Sequence, residues 1–288
     1  MDSNLVRRIG FAAVAIPLAL AVVWLGGPPL VGLVAVVSVL GTREFFDLAR
    51  RQGVQPVRLF GFLTAAAFAP LTYAGLNSPA AGRALSVAWP YLTALWLLGL
   101  LAWVLRIRSP EARPLTSAAV TALGVLYAGA LPAFLVDIRH RGYSERSWEG
   151  TWLVFFPLVL TWICDTAAMF AGRAIGGAKL APVVSPGKTW AGAVAGVAGA
   201  LLVAPLYHHL ALLPFGFHLA LWSQLLFAGT LAVVGQVGDL AESLFKREVG
   251  VKDSSALIPG HGGILDRFDS LYFVLPAAAV LYRLQGVL

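Results

Sequence analysis

The chain has 288 residues, of which 59% are apolar and only 12% charged, against roughly 25% charged in an ordinary soluble domain. With a mean hydropathy of +0.80, a soluble protein could not cover its surface with polar groups, so a soluble enzyme, a disordered chain and a disulfide scaffold are excluded. The apolar stretches are continuous rather than alternating, which argues against a β-barrel; the expected fold is an all-α, polytopic integral membrane protein. The net charge of +7 reads as basic cytoplasmic loops facing anionic headgroups, with no nucleic-acid partner. The single cysteine, Cys164, excludes an internal disulfide and a cysteine-only metal site.

A spanning helix needs about 20 mostly apolar residues. On that basis about nine spans are expected, over 9–27, 29–48, 59–76, 85–105, 115–136, 151–171, 190–208, 219–245 and 268–286. The first two are separated by Gly26-Gly27-Pro28-Pro29, a tight turn. The first carries an Arg7-Arg8 flank but no clear small-residue cleavage site, so it is read as an uncleaved span. With the N-terminus in the cytoplasm, all of the 21 Lys and Arg residues except Arg83, Arg139, Arg141, Arg146 and Arg283 fall on cytoplasmic segments, the bias expected of a membrane protein. Residues 1–150 read as about five structural spans. Residues 151–288 read as a catalytic region of about four spans with polar cytoplasmic loops.

Charged groups inside a bilayer are costly and are functional candidates by default. Asp165 lies near the cytoplasmic end of span six, about 10 Å deep at 1.5 Å per residue; its alternative is to cap or pair with a neighbouring helix. Asp239 lies at similar depth in span eight. There Gln236, Asp239, Glu242, Ser243 and Lys246 follow helical spacing and make one polar stripe, unless the stripe simply faces solvent beyond the membrane edge. Asp266 and Asp269, at i and i+3, share one face at the start of span nine. They suit joint binding of a divalent cation such as Mg²⁺, or simply a helix N-terminus that favours acids.

Two loops have the character of phosphate-binding segments. One holds Lys246, Arg247, Lys252 and Asp253, then Pro259-Gly260-His261-Gly262-Gly263. Glycines there let backbone approach a phosphate closely, and the following helix end offers free N–H groups. No GxxxxGK[ST] motif is present. The other runs from Gly172 to Thr189, with Arg173, Lys179, Ser185 and Lys188 among Gly and Pro; its alternative is a basic loop that only sets topology. Gly192, Gly196 and Gly199 in span seven are expected to allow close helix packing.

Residues Ser243 to Asp269 resemble the signature of the phosphatidate cytidylyltransferase (CDP-diacylglycerol synthase) family. Ser243, Lys246, Arg247, Lys252, Asp253, Pro259, His261, Gly262, Gly263, Asp266, Arg267 and Asp269 stand at its fixed spacings. The resemblance extends to Gly238-Asp239-Leu240, Cys164-Asp165-Thr166, Gly172-Arg173, Lys179-Leu180 and Ser185-Pro186-Gly187-Lys188-Thr189. Three positions depart from it: Gly187 and Gly177 stand where basic residues are common, and Ala191 where an acid is common. Lys252 is therefore weighted above Lys188.

The resemblance implies transfer of a cytidylyl group from CTP to phosphatidate, giving CDP-diacylglycerol and pyrophosphate in phospholipid biosynthesis. It implies Mg²⁺, with room for a second cation such as K⁺, on Asp239, Asp266 and Asp269, with Asp165 next. Lys252 is grouped with these acids as catalytic. Lys246, Arg247, Arg173, Lys179, Ser185, Lys188, Ser243, Asp253, His261, Gly262, Gly263 and Arg267 are the expected substrate contacts. The expected setting is the cell's inner or plasma membrane with the site facing the cytoplasm, among membrane lipids, with a homodimer left open. Two other classes remain from the residues alone: a cation- or proton-coupled transporter, and a polyprenol kinase-like lipid-phosphate enzyme.

Overall fold

The computed structural model describes residues 17–258 and 262–288. Residues 17–25 are helical, and the chain then turns at Gly26 into α1 (Gly27–Arg51). Next come α2 (Arg58–Asn77), α3 (Pro79–Ile107) and a composite segment over Pro110–His140. That segment contains α4 (Pro114–Gly124), a π-helical turn (Val125–Ala130) and α5 (Ala133–His140). α6 (Trp148–Ile175) is followed by a two-stranded antiparallel hairpin, β1 (Lys179–Ala181) and β2 (Ser185–Thr189), and then by α7 (Trp190–Tyr207). α8 (Leu221–Glu248), a four-residue α9 (Leu265–Phe268) and α10 (Leu271–Leu284) complete the described chain.

The polytopic all-α architecture expected from composition is present. Among the described residues seven helical segments are long and apolar enough to cross a membrane. The first part of the first expected span, residues 9–16, lies outside the described residues, as do Arg7 and Arg8; residues 17–25 of that span are helical. The ninth, expected over 268–286, is broken. α9 ends at Phe268, and α10 has 14 residues, about 21 Å of helix against a hydrocarbon core of about 30 Å. The hydrogen-bond ladder is interrupted at Asp269 and Ser270, between α9 and α10.

Local chemistry sets several helix starts. Ser78 accepts the Ala81 N–H at 3.2 Å ahead of Pro79, and Ser147 accepts the Gly150 N–H with Glu149 in the first turn. Thr189 does the same for α7 through the Gly192 N–H at 3.1 Å. Each side-chain oxygen satisfies a donor that the helix cannot.

The core is largely C-terminal. Phe156 of α6 stacks on Phe227 of α8 at 5.0 Å, and Phe227 meets Tyr282 of α10 at 4.7 Å. The Tyr282 hydroxyl donates to the Leu153 carbonyl at 2.8 Å. A second cluster joins Phe45 and Phe46 of α1 to Tyr127 and Tyr272. By contrast, α2 and α3 bury few residues; their apolar faces suit contact with lipid.

The expected role of glycines in span seven holds. A Cβ at Gly196 would stand 2.9 Å from both the carbonyl oxygen and the sulfur of Cys164, and one at Gly192 would stand 2.6 Å from the Ala168 carbonyl oxygen. α6 and α7 therefore pack backbone to backbone, which keeps the hairpin between them close to the end of α6.

Candidate active site

Five elements converge on one cavity of about 650 Å³. Trp162, Asp165, Ala168, Met169, Gly172 and Arg173 line it from α6, with spacing that keeps them on one helix face. The hairpin contributes Leu180, Gly187, Lys188 and Thr189, and α7 contributes Gly192 and Ala193. Gln236 and Asp239 line it from α8, and Asp266, Arg267 and Asp269 close the last side. Thus Asp165, Asp239, Asp266 and Asp269, spread over about a hundred residues of chain, face one space with Arg173, Lys188 and Arg267.

The carboxylates differ in how far they are committed. Asp239 pairs through Oδ2 with Lys188 Nζ at 2.5 Å, and its Oδ1 receives the Ser243 hydroxyl at 3.4 Å. Asp269 Oδ1 accepts the Ser270 N–H at 2.7 Å, while its other oxygen has no hydrogen-bond partner among the described residues. Asp165 has neither an ion pair nor a side-chain hydrogen bond among the described residues. Asp266 is fully engaged: Oδ1 meets Lys246 Nζ at 2.7 Å, and Oδ2 accepts the Ser254 and Gly263 N–H groups and the Ser254 hydroxyl, each at 2.8 Å. Burial works against its charge. The Lys246 ammonium and the Gly263 and Ser254 donors nevertheless hold the Asp266 carboxyl below its ordinary range.

Lys246 also changes meaning. It is buried, lying 3.0 Å from Glu242 Oε1 and 2.7 Å from Asp266. It bridges two buried acids behind the cavity and does not line it. The polar stripe expected on α8 therefore divides. Gln236 and Asp239 face the cavity, whereas Glu242, Ser243 and Lys246 are buried.

Other expected contacts lie outside the cavity wall. Lys252 and Asp253 are exposed on the loop after α8, and Lys179 is exposed on β1. Ser185 begins β2, on the hairpin but away from the wall. Arg247 donates to the Val184 carbonyl at 3.1 Å and the Val251 carbonyl at 2.9 Å, tying hairpin to loop. Gly262 pairs with Ile258 in an isolated bridge, and Gly263 delivers its N–H to Asp266. His261 lies outside the described residues. The weighting of Lys252 above Lys188 is not what the geometry gives, since it is Lys188 that enters the cavity.

Among the described residues no three His, Cys, Asp or Glu side chains stand close enough to form a ready-made metal cluster. Two of the acids are instead paired with lysines, Asp239 with Lys188 and Asp266 with Lys246. The donor set still suits a hard divalent cation, which takes carboxylate oxygens together with substrate phosphate and water.

A second, apolar cavity of about 500 Å³ adjoins the first between α7 and α8. Leu180, Ala193 and Gln236 line both; Val194, Val197, Leu201, Val233 and Val237 carry the apolar one away from the charged residues.

Sequence reasoning passed over Glu44, which is 4% exposed on α1 and accepts four hydrogen bonds, three from the segment before α9 and one from the Leu265 N–H at its start. It also passed over Ser254, whose hydroxyl and N–H both meet Asp266. A signal for Glu44 was present: it falls inside the expected span 29–48, where any charge is a candidate.

Residues 6–285 match a family model described as the cytidylyltransferase family. The chain is 40% identical over 150 residues to a phosphatidate cytidylyltransferase of Haemophilus influenzae, covering 52% of each chain. It is 48% identical over 139 residues to one of Staphylococcus saprophyticus, covering 48% of this chain and 52% of the relative. It is 43% identical over 166 residues to one of Brucella suis, covering 58% and 57%. The chain thus spans about half the length of the curated relatives it matches.

Proposed function

Since the chain belongs to the cytidylyltransferase family, we propose that it transfers a cytidylyl group from CTP to phosphatidate, releasing CDP-diacylglycerol and pyrophosphate. One observation carries the reading: a cavity of mixed acids and bases shares Leu180, Ala193 and Gln236 with an apolar groove between two membrane-crossing helices. A phosphorylated lipid needs both surfaces at once, one for its headgroup and one for its chains.

In the reaction an oxygen of the lipid phosphate bonds to the α-phosphorus of CTP, and the bond from that phosphorus to the pyrophosphate oxygen breaks. The attacking oxygen is already ionised near neutral pH, so no serine, cysteine or strong general base is needed. The protein's task is positioning and charge neutralisation. Arg173, Lys188 and Arg267 bind the phosphates of the two substrates and hold them in line. Asp239, Asp269 and Asp165 would hold Mg²⁺, with Asp266 fixing the wall beside them and a second cation such as K⁺ accommodated by the same acids. When bound, Mg²⁺ supplies neutralising charge for the triphosphate and the departing pyrophosphate. The α7–α8 groove takes an acyl chain from the inner leaflet, and CTP enters from the cytoplasmic side. A cation carrier would avoid fixed positive charges beside its pathway, and here Lys188 contacts the central acid.

The test is phosphatidate-dependent nucleotide consumption by purified protein in mixed micelles, with ATP, GTP and UTP beside CTP. Selective use of CTP, lost on chelation and restored by Mg²⁺, is expected. No consumption of CTP, together with phosphatidate-independent cation flux in liposomes, would turn the reading to a carrier.

A further inference from the structure

The N-terminal helices look purely structural in sequence, yet one of their side chains reaches the site. Glu44 sits near the C-terminal end of α1 and is buried. Its Oε1 accepts the Ser255 hydroxyl at 2.7 Å and the Ile264 N–H at 3.0 Å. Its Oε2 accepts the Ser254 hydroxyl at 2.9 Å and the Leu265 N–H at 2.9 Å. The Ile264 and Leu265 amides open the segment that carries Asp266, Arg267 and Asp269 to the cavity. Ser254 also touches Asp266 Oδ2, so Glu44 and Asp266 share a hydroxyl. Gly263 lies so close that an added Cβ would collide with both the Ser254 hydroxyl and the Glu44 carboxylate. A buried carboxylate is costly without strong donors, and all four donors come from one segment more than 200 residues away in sequence.

We infer that Glu44 is a positioning residue for the site: it fastens the start of the Leu265–Asp269 segment so that Asp269 and Arg267 face the cavity and Asp266 stays locked to Lys246. The inference rests on the proposed cytidylyl transfer for its kinetic consequence, but not for the clamp itself. An amide at this position presents N–H where the Ile264 or Leu265 N–H must find an acceptor. Glu44→Gln therefore keeps the shape and breaks the clamp.

Two readouts test it on the purified full chain. The first is deuterium exchange at the amides of Ile264 and Leu265, which needs no assumption about the reaction. Glu44→Gln should accelerate exchange there while the amides of α6 keep wild-type protection. Unchanged exchange at Ile264 and Leu265 overturns the clamp. The second is initial rate against CTP and phosphatidate. Glu44→Gln should lower kcat by about 10-fold or more, the range for groups that orient ligands from behind, with KM for phosphatidate unchanged because Glu44 does not touch the apolar groove. Ser254→Ala removes only the shared hydroxyl and leaves both backbone bonds. It should give a smaller loss, and the double variant should fall less than the product of the two singles, as expected for coupled neighbours. A wild-type kcat with accelerated exchange, or fully multiplicative losses, overturns the positioning role. If the wild-type protein consumes no CTP, the cytidylyl-transfer reading fails and the exchange arm still decides the clamp.

Discussion

Asp239 and Asp266 line the same cavity, but their surroundings assign them different work. Asp239 is half-buried and touches Lys188 and Ser243. Asp266 is buried and holds Lys246 together with donors from Ser254 and Gly263. Asp239→Asn should therefore cost activity, by about 10²-fold or more, the scale of one lost electrostatic contact in an active site, with little change in thermal unfolding. Asp266→Asn leaves Lys246 short of one counter-charge and should also destabilise the fold, by about 3–5 kcal/mol. Turnover and melting temperature measured on both purified variants check this split, which two equal losses of stability would refute. The lysines give a matching contrast. Lys188→Met should lower kcat/KM for CTP by about 1.5–3 kcal/mol, the range for hydrogen bonds to charged groups. Lys252→Met, on an exposed loop away from the cavity wall, should lower it less. Initial rates against CTP for the two variants decide the order.

At the scale of elements, the site depends on how tightly α6 and α7 meet. The hairpin that carries Lys188 and Thr189 is strung between them, and its register pairs Lys179 with Thr189 and Ala181 with Ser185. Gly196→Leu inserts a side chain where a single Cβ already stands 2.9 Å from Cys164. It should cost about 1–3 kcal/mol through overpacking and move the hairpin away from Asp239, which a lower melting temperature together with a raised KM for CTP would register. Much of this was legible beforehand. Acids at matching depths in spans six and eight do face one space, and small residues in span seven do mark a close contact. The hairpin was not legible, because Gly, Pro and basic residues describe a loop equally well. Nor was the break before α10, because Asp269 and Ser270 keep helical backbone angles and only the hydrogen-bond ladder is interrupted. Lys246 was misjudged for a different reason. Its spacing put it on the polar stripe, and spacing cannot say that two acids, one of them 20 residues away, enclose it.

At the scale of the whole molecule, the charges separate to two ends. The cavity, the ends of α1, α6 and α8, and the hairpin lie together, while Asp137, Arg141 and Arg283 form a cluster in which Arg283 reaches Asp137 at 2.8 Å. Arg139 is buried nearby in sequence and donates to the Val23 and Trp24 carbonyls. Arg139, Arg141 and Arg283, three of the basic residues expected outside, knit this second end. Single cysteines in a Cys164→Ser background test whether the cavity faces the cytoplasm. Arg146→Cys should react with an impermeant thiol reagent applied to intact cells, and Lys252→Cys should not; the reverse pattern would invert the protein in the membrane. Glu44 joins the two halves of the chain, since α1 supplies a carboxylate to four donors of the segment that leads into Asp266 and Asp269.

The group that moves is the heart of the account, and the position of a radioactive phosphorus reports it directly. Purified protein is given phosphatidate and CTP labelled either at the α- or at the γ-phosphorus, and the lipid and aqueous products are separated. Cytidylyl transfer predicts lipid-borne label from α-labelled CTP alone, with the γ label recovered entirely in pyrophosphate. Label passing from the γ position into lipid would make the protein a kinase-like enzyme and contradict the assignment.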